Sequence, residues 1–314
     1  MDVRVNPKGV FVSLPKPPRP APFAASLAQA LHVPEAYIRD LMRRNLLRAR
    51  GRTPGADERW DRPLNVWVAE DLGPVDVTSA RLPEVRVLYA DSSAMVVDKP
   101  ADLLVHSDGT DAPTLDACVQ RLLNEEGAGR AYHVHRLDRA TTGCVLYAKH
   151  GLILRALDLD LAARRIGRTY LAIARGERLQ TGVVERPIGR DRHVSGRFRV
   201  SRTGKMARTK LEVLDAVLRG GEWWTLVRLR LETGRRHQIR VHLAALGAPL
   251  VGDELYGGRP HAGFGSSHIA LHAHALEFWH PYTGARVDVK APVPPAWLEL
   301  AHDMGLSVER LKRE

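Results

Sequence analysis

The sequence predicts an α+β protein: a mixed, largely antiparallel sheet with flanking helices, preceded by a small helix-containing module. Three observations carry that prediction. Strand and helix patterns follow one another irregularly from residue 85 onward instead of repeating as strand–helix units. Apolar runs such as KLEVLDAVLRGGEWWTLVRLRLETG and ALEFWHPYTGARVDVKAPVP fold back on turns that contain Gly or Pro. The turn-forming stretch GPVDVTSARLPE (73–84) separates two compositions, which divides the chain into a basic Pro-rich arm (1–22), a small module (23–80) and a larger domain (81–314).

Each element follows from its own pattern. KPPRPAP makes residues 1–22 an irregular arm. Phe23, Leu27 and Leu31, then Tyr37, Ile38, Leu41, Met42 and Leu46, fall at helical spacing, and Pro34 between the runs splits them into two short helices. RRNLLRAR (43–50) gives this module a basic edge through Arg43 and Arg44, and LNVWVAE alternates as a strand. VRVLYADSSAMVVDKPADLLVH then reads as strand, turn and strand, and Thr114 caps a helix from Leu115 to Leu123. HVHRLDRATTG is a loop leading into the buried strand CVLYAK; LILRALDLDLAARR is a helix, and TYLAIARG and TGVVERPIGR are strands. Residues 191–208 read as a basic loop, Gly220-Gly221 joins two strands, and RHQIRVHLAALG is a short helix ended by Gly247. A last hairpin and a closing helix over 296–310 complete the chain.

Composition narrows the function. The 314 residues are 44% hydrophobic and 26% charged, enough for a real core, and no run approaches the ~18 apolar residues of a membrane span. The N-terminus lacks the apolar centre of a signal peptide, and two cysteines, Cys118 and Cys144, form neither a disulfide framework nor a four-cysteine zinc site. A reduced cytoplasmic protein is expected. The net charge is +11, and residues 161–210 hold all of that excess, with fourteen Lys/Arg against three Asp/Glu; the rest of the chain balances. Such a segment is either a phosphate-binding surface or a solvated face.

No GxGxxG or P-loop motif is present, so no nucleotide cofactor is expected, and no GxSxG elbow supports a serine hydrolase. The histidines near Asp138 (His133, His135) and the group His268, His272 and His274 match no strong metal signature, so no metal is expected. Asp138 lies between Arg136 and Arg139, which suits either an ionised nucleophile or a loop cap. Arg240 and Arg236, four residues apart, each offer bidentate donors to a distant carboxylate or form a solvent-facing row. Tyr170, on an alternating strand, is a core aromatic or a ring for stacking on a base.

Five ordered blocks resemble the RluA-type family of RNA pseudouridine synthases: VLYADSSAMVVDKPADLLVH, HRLDRATTG, RTYLAIARG, TGRRHQIRVHLAALGAPLVGD and LHAHALEFWHPYTG. The resemblance implies the family's central sheet and the conversion of uridine in structured RNA to its C-glycoside isomer, by a monomer without metal, nucleotide or redox cofactor; the extra N-terminal module favours ribosomal over transfer RNA as the substrate. It places the essential carboxylate on Asp138, its arginine partner on Arg240 and the tyrosine on Tyr170. Arg136 becomes the residue that enters the RNA helix, and Ile239 part of the apolar wall beside the base. Arg168, Arg190, Arg192, Arg197, Arg199 and Arg202 then become RNA-binding residues, as do Lys205, Arg208, Lys210 and Arg236. Residues 23–72 resemble an S4-type RNA-binding module, which would bring in Arg43 and Arg44; its usual Asn-Gly hairpin is replaced by GRTPGAD. Asp102 stands where the family commonly has Gly, a change that bears on a turn. A non-catalytic RNA-binding or ribosome-assembly protein and a different RNA enzyme are the competing classes.

Overall fold

The computed structural model describes residues 1–77, 82–261, 268–307 and 309–310. The boundary expected between residues 80 and 81 therefore lies outside the described residues.

The N-terminal unit is a four-stranded antiparallel sheet covered on one face by two helices. Its elements are β1 (Asp2–Asn6), β2 (Gly9–Leu14), β3 (Ala21–Pro22), α1 (Phe23–Leu31), α2 (Glu35–Arg43), β4 (Leu47–Ala49), β5 (Arg59–Trp60) and β6 (Leu64–Ala69). The sheet order is β1-β2-β6-β4, and β3 and β5 form a short separate ladder. This corrects the expected arm at 1–22, because residues 2–14 are a hairpin built into the sheet. Val10, Val12 and Leu14 alternate into the core, a period-2 signal that the proline run at 15–20 masks. Pro34 sits at the N-terminal cap of α2, where its missing N–H costs nothing.

The larger unit contains β7 (Arg86–Ala90), β8 (Ala94–Lys99), α3 (Leu115–Glu126), β9 (Tyr132–His133), β10 (Thr142–Ala148), α4 (Gly151–Ala162), β11 (Gly167–Gly176) and β12 (Gly182–Glu185). It continues with β13 (Ile188–Arg190), β14 (Phe198–Val200), β15 (Arg208–Arg219), β16 (Glu222–Leu231), α5 (Gln238–Ala244), β17 (Leu271–Trp279), β18 (Arg286–Lys290) and α6 (Pro295–Met304). The main sheet runs β12-β15-β16-β11-β17-β10-β8-β7, with β18 beside β17 and β9 beside β10. Every pairing is antiparallel except β10 with β17, which are parallel through only Thr142↔His272 and Gly143↔Ala273. The fold is thus the mixed, largely antiparallel α+β sheet that the sequence predicts.

Two elements differ from expectation. Residues 191–208, read as a loop, contain β14, which pairs with β13 to make a hairpin. The closing helix stops at Met304 because Gly305 turns left-handed (φ 78).

Alternation distributes the core. Val96 and Leu146 face α4 and the N-terminal unit, and Met95, Val97, Val145 and Tyr147 face α3. On β11, Leu171 and Ile173 face α6, whereas Tyr170, Ala172 and Ala174 face α5. The N-terminal unit shares one continuous apolar core with α4, reinforced by Glu70 accepting from the Gly151 amide (3.0 Å) and by His32 meeting Asp160 (2.8 Å). Among the described residues no helix is long and apolar enough to cross a membrane.

Candidate active site

A cleft of about 1140 Å³ opens at the two-residue joint between β10 and β17. Asp138, Arg136, Tyr170, Ile239, Arg240, Arg168 and Arg236 all line it, so distant parts of the sequence converge there. Asp138 lies in the loop between β9 and β10, and its carbonyl accepts the Thr141 amide (3.0 Å) to form a tight turn. Lys99, fully buried at the end of β8, donates through Nζ to the carbonyls of Pro100, Leu103 and Arg139, each at 2.8 Å. Burial pushes Lys99 down to about 7, against the fields of Asp138 and Asp102. Three carbonyl partners call for three N–H donors, which only the ammonium form supplies. Asp102 adopts a left-handed conformation (φ 60), a turn geometry that costs a residue with a Cβ some strain, and its carboxylate accepts from Arg139 Nε (2.7 Å). The residue after Asp138 is thus held through both its carbonyl and its side chain.

Arg240 reaches Asp138 from α5. Its Nη1 donates to Asp138 Oδ2 (3.1 Å), while Nε and Nη2 donate to Asp253 Oδ2 and Oδ1 (2.8 Å each). Burial opposes the Arg240 charge, but hydrogen bonds and the fields of Asp253 and then Asp138 outweigh it, so its pKa stands above the ordinary arginine value. The Tyr256 ring lies 4.9 Å beneath the guanidinium. His237, left-handed (φ 55) at the start of α5, places Nε2 3.8 Å from Asp138 Oδ1 and Nδ1 2.8 Å from the Tyr256 hydroxyl. Burial lowers the His237 pKa, against the field of Asp138.

Tyr170 is buried in the α5-facing core beside Ile239. A register shift between Thr169 and Leu171 interrupts the β11–β17 ladder at this residue, a bulge of the kind that re-aims a side chain. Burial raises the Tyr170 pKa. Arg136 stays exposed at the cleft, where Nη1 donates to His106 Nε2 (2.9 Å). The Arg168 guanidinium packs against Gly234, where a Cβ would come within 3.2 Å of Nη1.

The other residues expected to meet RNA divide into two groups, neither lining the cleft. Arg190, Arg192, Arg199, Arg202 and Lys205 are exposed on or beside the β13–β14 hairpin, without an ion-pair partner among the described residues. Arg197 lies 3.6 Å from Asp191, Arg208 pairs with Glu232 (2.9 Å), and Lys210 also reaches Glu232 (3.1 Å). Arg43 and Arg44 both pair with Asp40 on their own helix, at the i+3 and i+4 spacing that the sequence displays. Among the described residues no three His, Cys, Asp or Glu side chains gather as metal ligands.

The chain is similar in sequence and fold to proteins of one known family. A family profile described as RNA pseudouridylate synthase matches residues 93–245, which include the Asp138 loop and α5. An uncharacterized RNA pseudouridine synthase of Bacillus subtilis (strain 168), YhcT, is 40% identical over 217 residues, spanning 67% of this chain and 69% of that protein. The chain belongs to the RluA-type family of RNA pseudouridine synthases. A ribosomal large subunit pseudouridine synthase D from Haemophilus ducreyi is 35% identical over 243 residues, 73% of this chain and 74% of the relative. Among solved structures, human RNA pseudouridylate synthase domain containing 1 matches with a TM-score of 0.54 at 28% identity, over 70% of this chain and 86% of that one.

For an RNA pseudouridine synthase, the residues that sequence reasoning misses are as informative as those it names. Asp253, His237, Tyr256 and Lys99 complete the Asp138–Arg240 pair. Asp253 stands within LVGDELYG, where its neighbouring glycines make it read as a turn residue. His237 adjoins the QIR stretch of α5 directly, and its place at the cap of that helix is the signal that could have found it.

Proposed function

We propose that this RNA pseudouridine synthase isomerises specific uridines of structured RNA, with ribosomal RNA as its target and Asp138 as its essential group. The observation that carries the reading is the charge-assisted hydrogen bond from Arg240 to Asp138 inside an arginine-lined cleft. The relatives named ribosomal large subunit pseudouridine synthase D support the choice of ribosomal over transfer RNA. Action in the cytoplasm as a monomer belongs to the same proposal.

A uridine within a stem hides C5 and C1′, so it must leave the stack, at a cost on the order of a few kcal/mol. Arg136, exposed at the cleft, fills the vacated position and offsets part of that cost. Tyr170 and Ile239 bracket the flipped base. Asp138 then either attacks C1′ or removes the 2′ proton to give a glycal. On the first route the Asp138 carboxylate–C1′ bond forms as the N1–C1′ bond breaks, and that ester bond breaks in turn when C5 of the turned uracil attacks C1′; on the second the N1–C1′ bond breaks as the 2′ proton leaves, and Asp138 returns that proton to C2′ as C5 joins C1′. On both routes the C5 proton is then lost and N1 gains one, so no net oxidation occurs. Ile239 and its apolar neighbours exclude water that would trap the sugar. Arg168, Arg236 and the exposed arginines of the β13–β14 hairpin take phosphates, while base contacts and RNA shape choose the site. The N-terminal unit acts as an S4-like second RNA-holding module, a reading supported by its two short helices and the exposed Arg48.

The test is Asp138→Asn. The variant is expected to bind RNA with little loss and to form no pseudouridine; retained turnover removes the assigned role. Chemical mapping of pseudouridine in ribosomal and transfer RNA from cells lacking the gene identifies the target. Loss confined to transfer RNA would overturn the ribosomal assignment.

A further inference from the structure

The four-stranded N-terminal sheet has a second face that the shared core does not cover. Strand register aligns Arg4 of β1, Phe11 of β2, Trp67 of β6 and Arg48 of β4 in one row across all four strands. Their chain neighbours Val10, Val12, Val66, Val68, Leu47 and Ala49 point the other way and are buried against α1 and α2. Alternation therefore turns the row outward.

This face has the chemistry of a binding surface. Phe11 is 45% exposed and Trp67 half-buried, and their ring centroids lie 4.3 Å apart with the planes tilted by 45°, so the two rings stand in contact as adjoining aromatic facets. Gly9 allows the indole to lie close against β2: a Cβ there would fall 2.9 Å from the Trp67 ring. The small polar side chains of Ser13 and Asn65, paired with each other, border the rings on one side. A guanidinium stands at each end of the row. Arg4 is highly exposed and pairs with Asp2 (3.1 Å), and Arg48 is exposed with no ion pair among the described residues.

Two aromatic rings invite a flat ligand, and arginines at both ends invite a polyanion. A ligand that is both is a nucleic-acid strand with its base faces uncovered. A bare apolar partner would gain nothing from the flanking charges, and paired RNA would present no free base face. We propose that this sheet face is a platform for an unpaired stretch of the substrate RNA, with bases stacked on Phe11 and Trp67 and phosphates held by Arg4 and Arg48. The inference rests on RNA as the substrate and not on the role of Asp138. It gives the N-terminal unit a task of its own: holding single-stranded nucleotides while the cleft works on a uridine elsewhere in the same molecule.

The test uses the full chain and a labelled single-stranded RNA of about twelve nucleotides, within the span such surfaces cover. Phe11→Ala with Trp67→Ala should weaken binding by about tenfold or more, as stacking losses of this kind do. Phe11→Leu with Trp67→Leu keeps the apolar cover and should lose as much, whereas Phe11→Tyr with Trp67→Phe should bind like the parent. RNA carrying 5-iodouridine should crosslink to peptides containing Phe11 or Trp67. Parent-like binding by the leucine pair, or no crosslink to either peptide, overturns the proposal. So does a dimer of the parent chain that the alanine pair dissolves without changing RNA affinity, because a second copy would then own the face. Pseudouridine formation is measured separately: a parent chain that forms none refutes the assigned chemistry, and the affinity and crosslinking results still decide the platform.

Discussion

Arg240 and Asp253 are joined face to face, Nε to Oδ2 and Nη2 to Oδ1 at 2.8 Å each, and this pairing leaves only Nη1 to meet Asp138. Asp253 is 1% exposed, so the pair orients the guanidinium from behind and protects its charge in a buried setting. Asp253→Asn replaces one acceptor oxygen with a donor and frees the guanidinium to rotate off Asp138. The expected result is a fall in kcat of ten- to a hundredfold, roughly the loss of one charge-assisted hydrogen bond, with a smaller change in KM. Asp253→Ala should also cost about 3 kcal/mol of stability by stranding a buried charge. Single-turnover pseudouridine formation and urea melts read the two effects separately.

The basic segment gives a prediction with an internal control. Arg190, Arg192, Arg199 and Arg202 have no acidic partner among the described residues, whereas Arg208 and Lys210 share Glu232. Replacing the first four with alanine should reduce the slope of log Kd against log salt by about 0.7–0.9 for each phosphate no longer neutralised. Replacing Arg208 and Lys210 should change it less, since their charge is already partly neutralised. Equal slopes for the two sets would remove the hairpin from the phosphate track.

How much of this is legible in the sequence depends on how local each signal is. Asp138 and Arg240 are legible because they stand inside the blocks HRLDRATTG and TGRRHQIRVHLAALGAPLVGD that resemble the family; their own neighbours leave a loop cap and a solvent-facing row equally open. The bidentate partner Asp253 is not legible. Its burial arises only when the segment after α5 folds back, with the Asp253 amide bonded to Leu250 and the Gly258 amide bonded to Asp253. The β1–β2 hairpin is legible in principle: Val3, Val5, Val10, Val12 and Leu14 alternate plainly, but the prolines that follow outweigh them and suggest an irregular arm. The neutralisation of Arg43 and Arg44 by Asp40 is also there to be read, as helix spacing. The row of Arg4, Phe11, Trp67 and Arg48 is beyond reach, because strand register decides it and no single segment reveals register.

Two buried histidines set the acid limit of the fold. His150 caps α4 by accepting the Ile153 amide at Nδ1 (3.3 Å), and His135 accepts the Leu146 amide at Nε2 (3.3 Å). Both need the neutral ring, and burial pushes each down to about 3. The unfolded chain binds these protons below its ordinary value of 6.5. Between 6.5 and about 3 the unfolded state therefore holds more protons, and stability falls as pH falls, by at most about 1.4 kcal/mol per pH unit for each group. Melting temperature should decline on acidification through this window. His150→Asn retains a capping side chain and removes one titration, so it should flatten the decline; an unchanged slope would show that this histidine does not contribute.

The narrow joint between β10 and β17 should be the most sensitive backbone position near the site. Gly143 adopts φ +108, and a Cβ added there would lie 2.3 Å from the Ala273 carbonyl oxygen. Backbone cannot yield as a flexible side chain does, so Gly143→Ala must push the two parallel strands apart or strain the chain, at roughly 2–4 kcal/mol. The displacement would pass directly to the Asp138 loop, which enters β10 one residue earlier at Thr142, and to Thr142 Oγ1, which meets His272 Nδ1 at 2.7 Å. The expected variant has a lower urea midpoint and, under conditions where it remains folded, pseudouridine formation reduced by more than tenfold with RNA affinity largely kept, since the exposed arginines lie on other elements. A folded Gly143→Ala chain with full activity would mean that the cleft tolerates a wider joint and that Asp138 is positioned by Lys99 and Arg240 alone.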